Sequence, residues 1–272
     1  MRKAVCAAVF ALIVSCKQSP KDAREELARL RVPYTSEEFI MRCGMGPTTL
    51  ITTFLAAGAD PNVTYESERS YTPLISAATA GRVDIATQLL KAGAHLDQVG
   101  ADGRTAVDAA AENCKNAETV KFLIEQGGRA GEKGLFKAIW NVEAHPLDCS
   151  HSTIGYLLQA GADPNQRDTK GMTVLMVAAD RADTETVRLL LQYKADVNIQ
   201  AGPYHWTALH IACRRSLADR QPSTLEIVKD LLRAGADPNI KDTFGQNAMA
   251  SLGSPSYTPN LNAVREAISR PR

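Results

Sequence analysis

The pentapeptide GADPN stands at Gly58–Asn62, again at Gly161–Asn165 and again at Gly235–Asn239 in a chain of 272 residues. Each copy follows an apolar pair, Phe54-Leu55, Leu157-Leu158 or Leu231-Leu232. Degenerate copies fill the gaps, GAHLD from Gly93, GGRAG from Gly127 and KADVN from Lys194. From Gly58 to Gly235 the copies begin 35, 34, 34, 33 and 41 residues apart. That is a repeat with a period near 33 and insertions, and a period of this size signals a stacked-repeat architecture.

The chemistry of the pentapeptide explains its recurrence. Gly235 is free to take the left-handed conformation that closes a helix, Pro238 blocks further helix, and Asp237 and Asn239 carry side chains that bond turn backbone. These residues are helix-stop punctuation, structural and not catalytic. Upstream, TPLISAATAGRVDIATQLLKAGA shows a whole unit. Thr72 suits an N-cap, and Pro73 lacks the donor that the first helical position leaves unpaired. In the second helix of unit six, Ile227, Val228, Leu231 and Leu232 recur at helical spacing and form one apolar stripe. A two-helix unit cannot bury that stripe alone, so stacked units share one core and the end units act as caps.

With TPLISAA, TALHIAC and GADPN in register, the chain resembles the ankyrin-repeat family from about Thr35 to about Ile268. The resemblance implies an all-α, L-shaped solenoid of six to seven helix-turn-helix units with β-turn fingers. Its inner helices would line a concave groove that binds proteins.

The opening MRKAVCAAVFALIVSC has basic Arg2 and Lys3, then an apolar run from Ala4 to Val14 that is too short to span a membrane as a mature helix. It reads as a secretory signal. Ile13-Val14-Ser15-Cys16 is similar to the lipobox of bacterial lipoproteins, which makes Cys16 the candidate lipidation site; the alternative is an ordinary cleaved signal with a chance cysteine. The expected organisation is a signal with lipobox over 1–16, a tether and N-terminal cap over 17–33, and repeats over 34–272. Localisation is then periplasmic, with membrane contact only through the lipid anchor. Removing Arg2 and Lys3 takes the formal charge from +1 to about −1, a balance that does not suit nucleic acid.

Cys43 and Cys213 occupy the small site filled by Ala78 in unit two and read as core thiols. Cys114 and Cys149 sit at nearly matching turns of adjacent units. An oxidising compartment would allow a disulfide there, although stacked units are usually spaced wider than the ~7 Å Cα limit for one. His145, Cys149 and His151 in HPLDCSH match no zinc spacing and read as an irregular loop. His210 in TALH is a structural histidine by family resemblance. No phosphate loop, nucleophile elbow or HExxH is present, so no catalytic residue, metal or cofactor is expected.

The units differ in their loops. Unit two has two extra finger residues, unit six has one, and unit four lacks about six, which predicts a notch. Units four and six carry insertions between their helices, NVEAHPLDCS and RRSLADRQPS. Groove positions implied by the family hold Tyr65, Tyr71, Trp140, Asn141, Lys170, Met172, Asp180, Arg181, Tyr204, Trp206, Arg214, Arg215 and Phe244. Trp, Tyr and Arg anchor protein interfaces more than other residues do; the competing reading is that these aromatics pack on neighbouring fingers. The chain is thus expected to be a non-enzymatic, exported binder of a protein client. It resembles periplasmic self-protection factors that occlude an envelope-degrading enzyme such as a peptidoglycan endopeptidase. The alternatives are a non-inhibitory envelope scaffold and a thiol-based redox role.

Overall fold

Threonine hydroxyls open successive units. Thr35 accepts from the Glu38 N–H at 3.2 Å, Thr72 from Ile75 at 3.1 Å, Thr105 from Asp108 at 3.2 Å and Thr173 from Met176 at 3.2 Å. Each satisfies a backbone donor that the first turn leaves unpaired. The computed structural model describes residues 18–65, 71–113, 116–131, 134–140, 147–218, 222–250 and 259–269.

Helix α1 (Pro20–Arg29) precedes the repeats. Units one to six then pair an inner with an outer helix: α2 (Ser36–Met45) with α3 (Thr48–Ala56), α4 (Pro73–Thr79) with α5 (Val83–Lys91), and α6 (Ala106–Ala111) with α7 (Ala117–Glu125). The series continues with α8 (Gly134–Trp140) and α9 (Leu147–Gln159), α10 (Val174–Asp180) and α11 (Thr184–Gln192), and α12 (Ala208–Ala218) and α13 (Pro222–Arg233). A last helix, α14 (Pro259–Ser269), closes the array.

Each inner helix packs on the next inner helix and each outer on the next outer, so the described residues form the expected all-α solenoid. Of the stripe predicted in unit six, Ile227, Val228 and Leu231 are buried at 0% exposure, and Leu232 is partly buried against the core. One apolar core runs from Ala23 and Leu27 of α1 to Val264 and Ile268 of α14. Helix α1 lies on α3, and α14 lies on α12 and α13. Within the span read as tether and N-terminal cap, Ser19 caps α1 and Lys21 is already helical.

The repeated turn behaves as its chemistry requires. Gly58, Gly93, Gly127, Gly161 and Gly235 all have φ between 87° and 102°, and Lys194 holds the same place at φ 65°. Asp60, Asp163 and Asp237 each accept from the N–H two residues on, at 2.9 Å. The asparagine does more than close its own turn. Asn62 Nδ2 donates to Gly93 O at 3.0 Å while its Oδ1 accepts from His95 N at 2.6 Å, and Asn198 makes the same pair with Gly235 O and Asp237 N. These amides tie the turn of unit one to that of unit two, and the turn of unit five to that of unit six.

The fingers differ as the loop lengths predict. Regular ones close through Gly100 N–H to Arg104 O, Asp168 N–H to Met172 O and Asp242 N–H to Gln246 O; that of unit six closes one residue wider, between Ala201 and Trp206, and that of unit two two wider, between Tyr65 and Tyr71. At unit four no such closure is found among the described residues, and α8 begins three residues after Gly131. There the buried Asp108 carboxylate accepts from Gly131 N–H at 2.9 Å. A Cβ on Gly131 or Gly134 would collide with that carboxylate, so glycine is what lets the shortened loop lie on α6.

The insertions are partly helical, which differs from the expectation of loops. Cys149 and His151 fall inside α9, and α12 runs on to Ala218. Helix α9 gains its length by burying Thr153, Ile154, Leu157 and Leu158 along one face. His151 Nε2 meets Asp183 Oδ1 at 2.9 Å, joining unit four to unit five. The core reading of Cys43 and Cys213 holds: both side chains are buried at 0% exposure, and burial pushes both thiols up to about 12. The signal segment with Cys16, as well as Cys114 and Asn141, lies outside the described residues, as do the side chains of Trp140 and Cys149. No described helix is long and apolar enough to cross a membrane.

Candidate functional site

The concave side deepens between units five and six. The cleft there has a volume of about 700 Å³. Its walls come from two fingers and two inner helices. Lys170 and Met172 come from the finger of unit five, Asp180 and Arg181 from the end of α10, Tyr204 and Trp206 from the finger of unit six, and Arg214 and Arg215 from α12. Sequence positions up to 45 residues apart thus converge on one site because neighbouring units repeat the same layout.

Trp206 is the hub. Its ring lies 4.6 Å from that of Tyr204, and Tyr204 in turn lies 5.8 Å from Phe244 of the following finger. The Arg214 guanidinium sits over the indole, 4.4 Å from the ring centroid. The indole N–H donates to Asp242 Oδ2 at 3.2 Å. A cation over an aromatic face is held by the ring quadrupole while keeping its charge. Tyr204 is 42% exposed and Phe244 67%, so the outer end of the stack is open. Trp206 is half-buried against the core, so packing on a neighbouring finger holds for this residue even though it also lines the cleft.

The other candidates lie elsewhere. Tyr65 and Tyr71 close the finger of unit two, where Tyr71 packs on the core and the Glu37 carboxylate raises the Tyr65 phenol. Near that end α2 exposes Met41 and Met45, the latter at 76%, which are absent from the sequence-based candidates. So are Asp168, Asp183, Pro203 and Ile211 of the cleft. Asp168 Oδ1 accepts from Lys170 and Met172 N–H, at 2.8 and 2.7 Å, which stiffens its finger. Asp183 caps α11 through Thr186. A D-x-x-G finger signature, seen again at Asp242, was the available signal for Asp168.

His210 is structural, as expected. It is buried, contacts Thr207 Oγ1 through Nδ1 at 2.8 Å and Gln246 O through Nε2 at 3.3 Å, and burial lowers its pKa. Among the described residues no group of His, Cys, Asp or Glu is placed to hold a metal ion.

A family model for ankyrin repeats in three copies matches residues 40–133 and 147–242. The chain belongs to the ankyrin-repeat family. Among similar sequences, the Caenorhabditis elegans ankyrin repeat and KH domain-containing protein mask-1 is 32% identical over 76% of this chain and 9% of its own length. Human NF-kappa-B inhibitor zeta is 39% identical over 33% of this chain and 12% of its own. The chain thus spans about a tenth of the length of the curated relatives it matches. Among solved structures, the ankyrin repeat domain of Bcl-3 aligns with a TM-score of 0.63 at 24% identity, covering 84% of this chain and 97% of that one. That of human ASB11 aligns at 0.62 with 22% identity, covering 86% and 99%. At such identities the structures speak for the fold. Ankyrin repeats are protein-interaction modules. The resemblance to bacterial self-protection proteins is not among these relatives.

Proposed function

We propose that this ankyrin protein is an exported, lipid-anchored inhibitor that holds a protein client in the cleft of units five and six. Its client would be an envelope-degrading enzyme such as a peptidoglycan endopeptidase, blocked by occlusion. The observation that carries the binding part is the Arg214–Trp206–Tyr204–Phe244 stack beside a 700 Å³ cleft. Stacking of units requires no open aromatic column, whereas protein interfaces use Trp, Tyr and Arg as anchors. Export rests on the signal pattern of residues 1–16, and inhibition on the shape of a repeat surface, which covers a cleft better than it enters one. A named relative, NF-kappa-B inhibitor zeta, bears an inhibitor's name on the same repeat type.

The test is to purify the full chain from the envelope with its client and assay peptidoglycan hydrolysis with and without added chain. Loss of hydrolysis, relieved by Tyr204→Ala, is expected. A client whose activity is untouched by saturating chain favours the scaffold and removes the inhibitor reading. Export is tested separately: Cys16→Ser should abolish partitioning into detergent, and unchanged partitioning would remove the anchor.

A further inference from the structure

We infer that the segment taken up by the cleft of units five and six is acidic and carries an aromatic side chain; this rests on the proposal that a protein client binds there. Charge is arranged unevenly in the cleft. Lys170 and Arg214 present cationic groups to it, and Arg214 spends its contact on the Trp206 face, with no carboxylate partner among the described residues. The carboxylates of the cleft are arranged differently. Asp168 is turned onto the backbone of its own finger and Asp183 onto Thr186 and His151. Asp183 is only 8% exposed. An incoming chain therefore meets ammonium and guanidinium groups at the surface, while these acids already serve protein donors.

An incoming carboxylate would form charge-assisted hydrogen bonds that water on a flat surface would weaken. Asp180, exposed on the same wall, opposes a continuous polyanion such as a nucleic acid or a polyphosphate. Separate acidic side chains can step around it. The outer end of the stack, Tyr204 and Phe244, offers ring faces to a further aromatic. Offset or edge-to-face packing makes such a pair worth more than its area alone.

The experiment selects a randomised phage-displayed peptide library on the immobilised full chain. Enriched peptides are expected to place Asp or Glu next to Trp, Tyr or Phe, and to lose roughly tenfold or more in affinity with Tyr204→Ala, a loss of about 1.4 kcal/mol. The double variant Lys170→Glu, Arg214→Glu should shift the selection toward Lys and Arg. Peptides that depend on Tyr204 but are basic or uncharged would overturn the acidic inference and leave the groove reading standing. Peptides indifferent to Tyr204→Ala would overturn the groove reading and the inference with it. Absence of any enrichment, or equal competition by a single-stranded oligonucleotide, would overturn the inference as well.

Discussion

The Trp206 indole N–H reaches the Asp242 carboxylate at 3.2 Å and so joins the fingers of two successive units. Asp242 in turn holds its own finger through Phe244 and Gln246 N–H, at 2.8 and 2.9 Å. Trp206 is thus part of the fold as well as of the cleft. Trp206→Ala should lower stability by about 2 kcal/mol, less than the 3–5 kcal/mol typical of a fully buried Trp, because the ring is only half covered. Leu231→Ala, at 0% exposure, should cost about 2–5 kcal/mol. Urea denaturation of both variants checks the order; a Trp206→Ala midpoint equal to that of the native protein would show that the finger stack carries no stability.

Two glycines predict opposite signs. Gly155 lies within α9 and a Cβ there meets nothing within 4 Å. Gly155→Ala should therefore stabilise by about 0.5–1 kcal/mol through helix propensity. At Gly134 a Cβ runs into Asp108, so Gly134→Ala should destabilise. Thermal melts distinguish the signs, and a stabilised Gly134→Ala would refute the close packing of the shortened loop on α6.

Asp108 gives a pH dependence. Burial raises its carboxyl above the ordinary 3.8, and the hydrogen bonds from Thr105, Gly131 and Gly134 only partly offset that rise. The folded state then keeps the proton longer than the unfolded chain does. Its contribution to stability is fully present below about 3.8 and is lost as pH rises through the folded pKa. Stability curves over this window should lose that component in Asp108→Asn, and the Asp108 carboxyl carbon should titrate above 3.8 by NMR. A midpoint below that value would contradict the argument.

Thiol chemistry separates buried from reactive cysteines. Cys43 and Cys213, pushed up to about 12 by burial, should resist alkylation in the native protein and react after denaturation. Rapid native labelling of either, read by mass spectrometry, would revive a redox role.

What was legible in the sequence was whatever depends on local backbone chemistry. GADPN announced left-handed turns because only a few residue types hold φ > 0, and the count of loop residues gave the finger widths directly. Lys194 at φ 65° was legible only from register. Contacts between units were not legible: Asn62 and Asn198 bridge to turns more than 30 residues away, and Asp108 meets the loop of the next unit. The cleft was half legible. Its exposed aromatic and basic residues follow from position in the repeat, but Asp168 and Asp183 gain their meaning from the donors they face. HPLDCSH looked like a loop because its polar residues mask the buried face that Ile154, Leu157 and Leu158 later supply.

The central claim is that the cleft of units five and six is where a protein client docks. The most direct measurement replaces Tyr204, and separately Arg233 on the exposed end of outer helix α13, with p-benzoylphenylalanine, and irradiates intact cells producing the full chain. The account predicts a discrete protein adduct from position 204 that disappears when Arg214→Glu is added, and none from position 233. An adduct from position 233 with none from 204, or the same adducts from both, would contradict it.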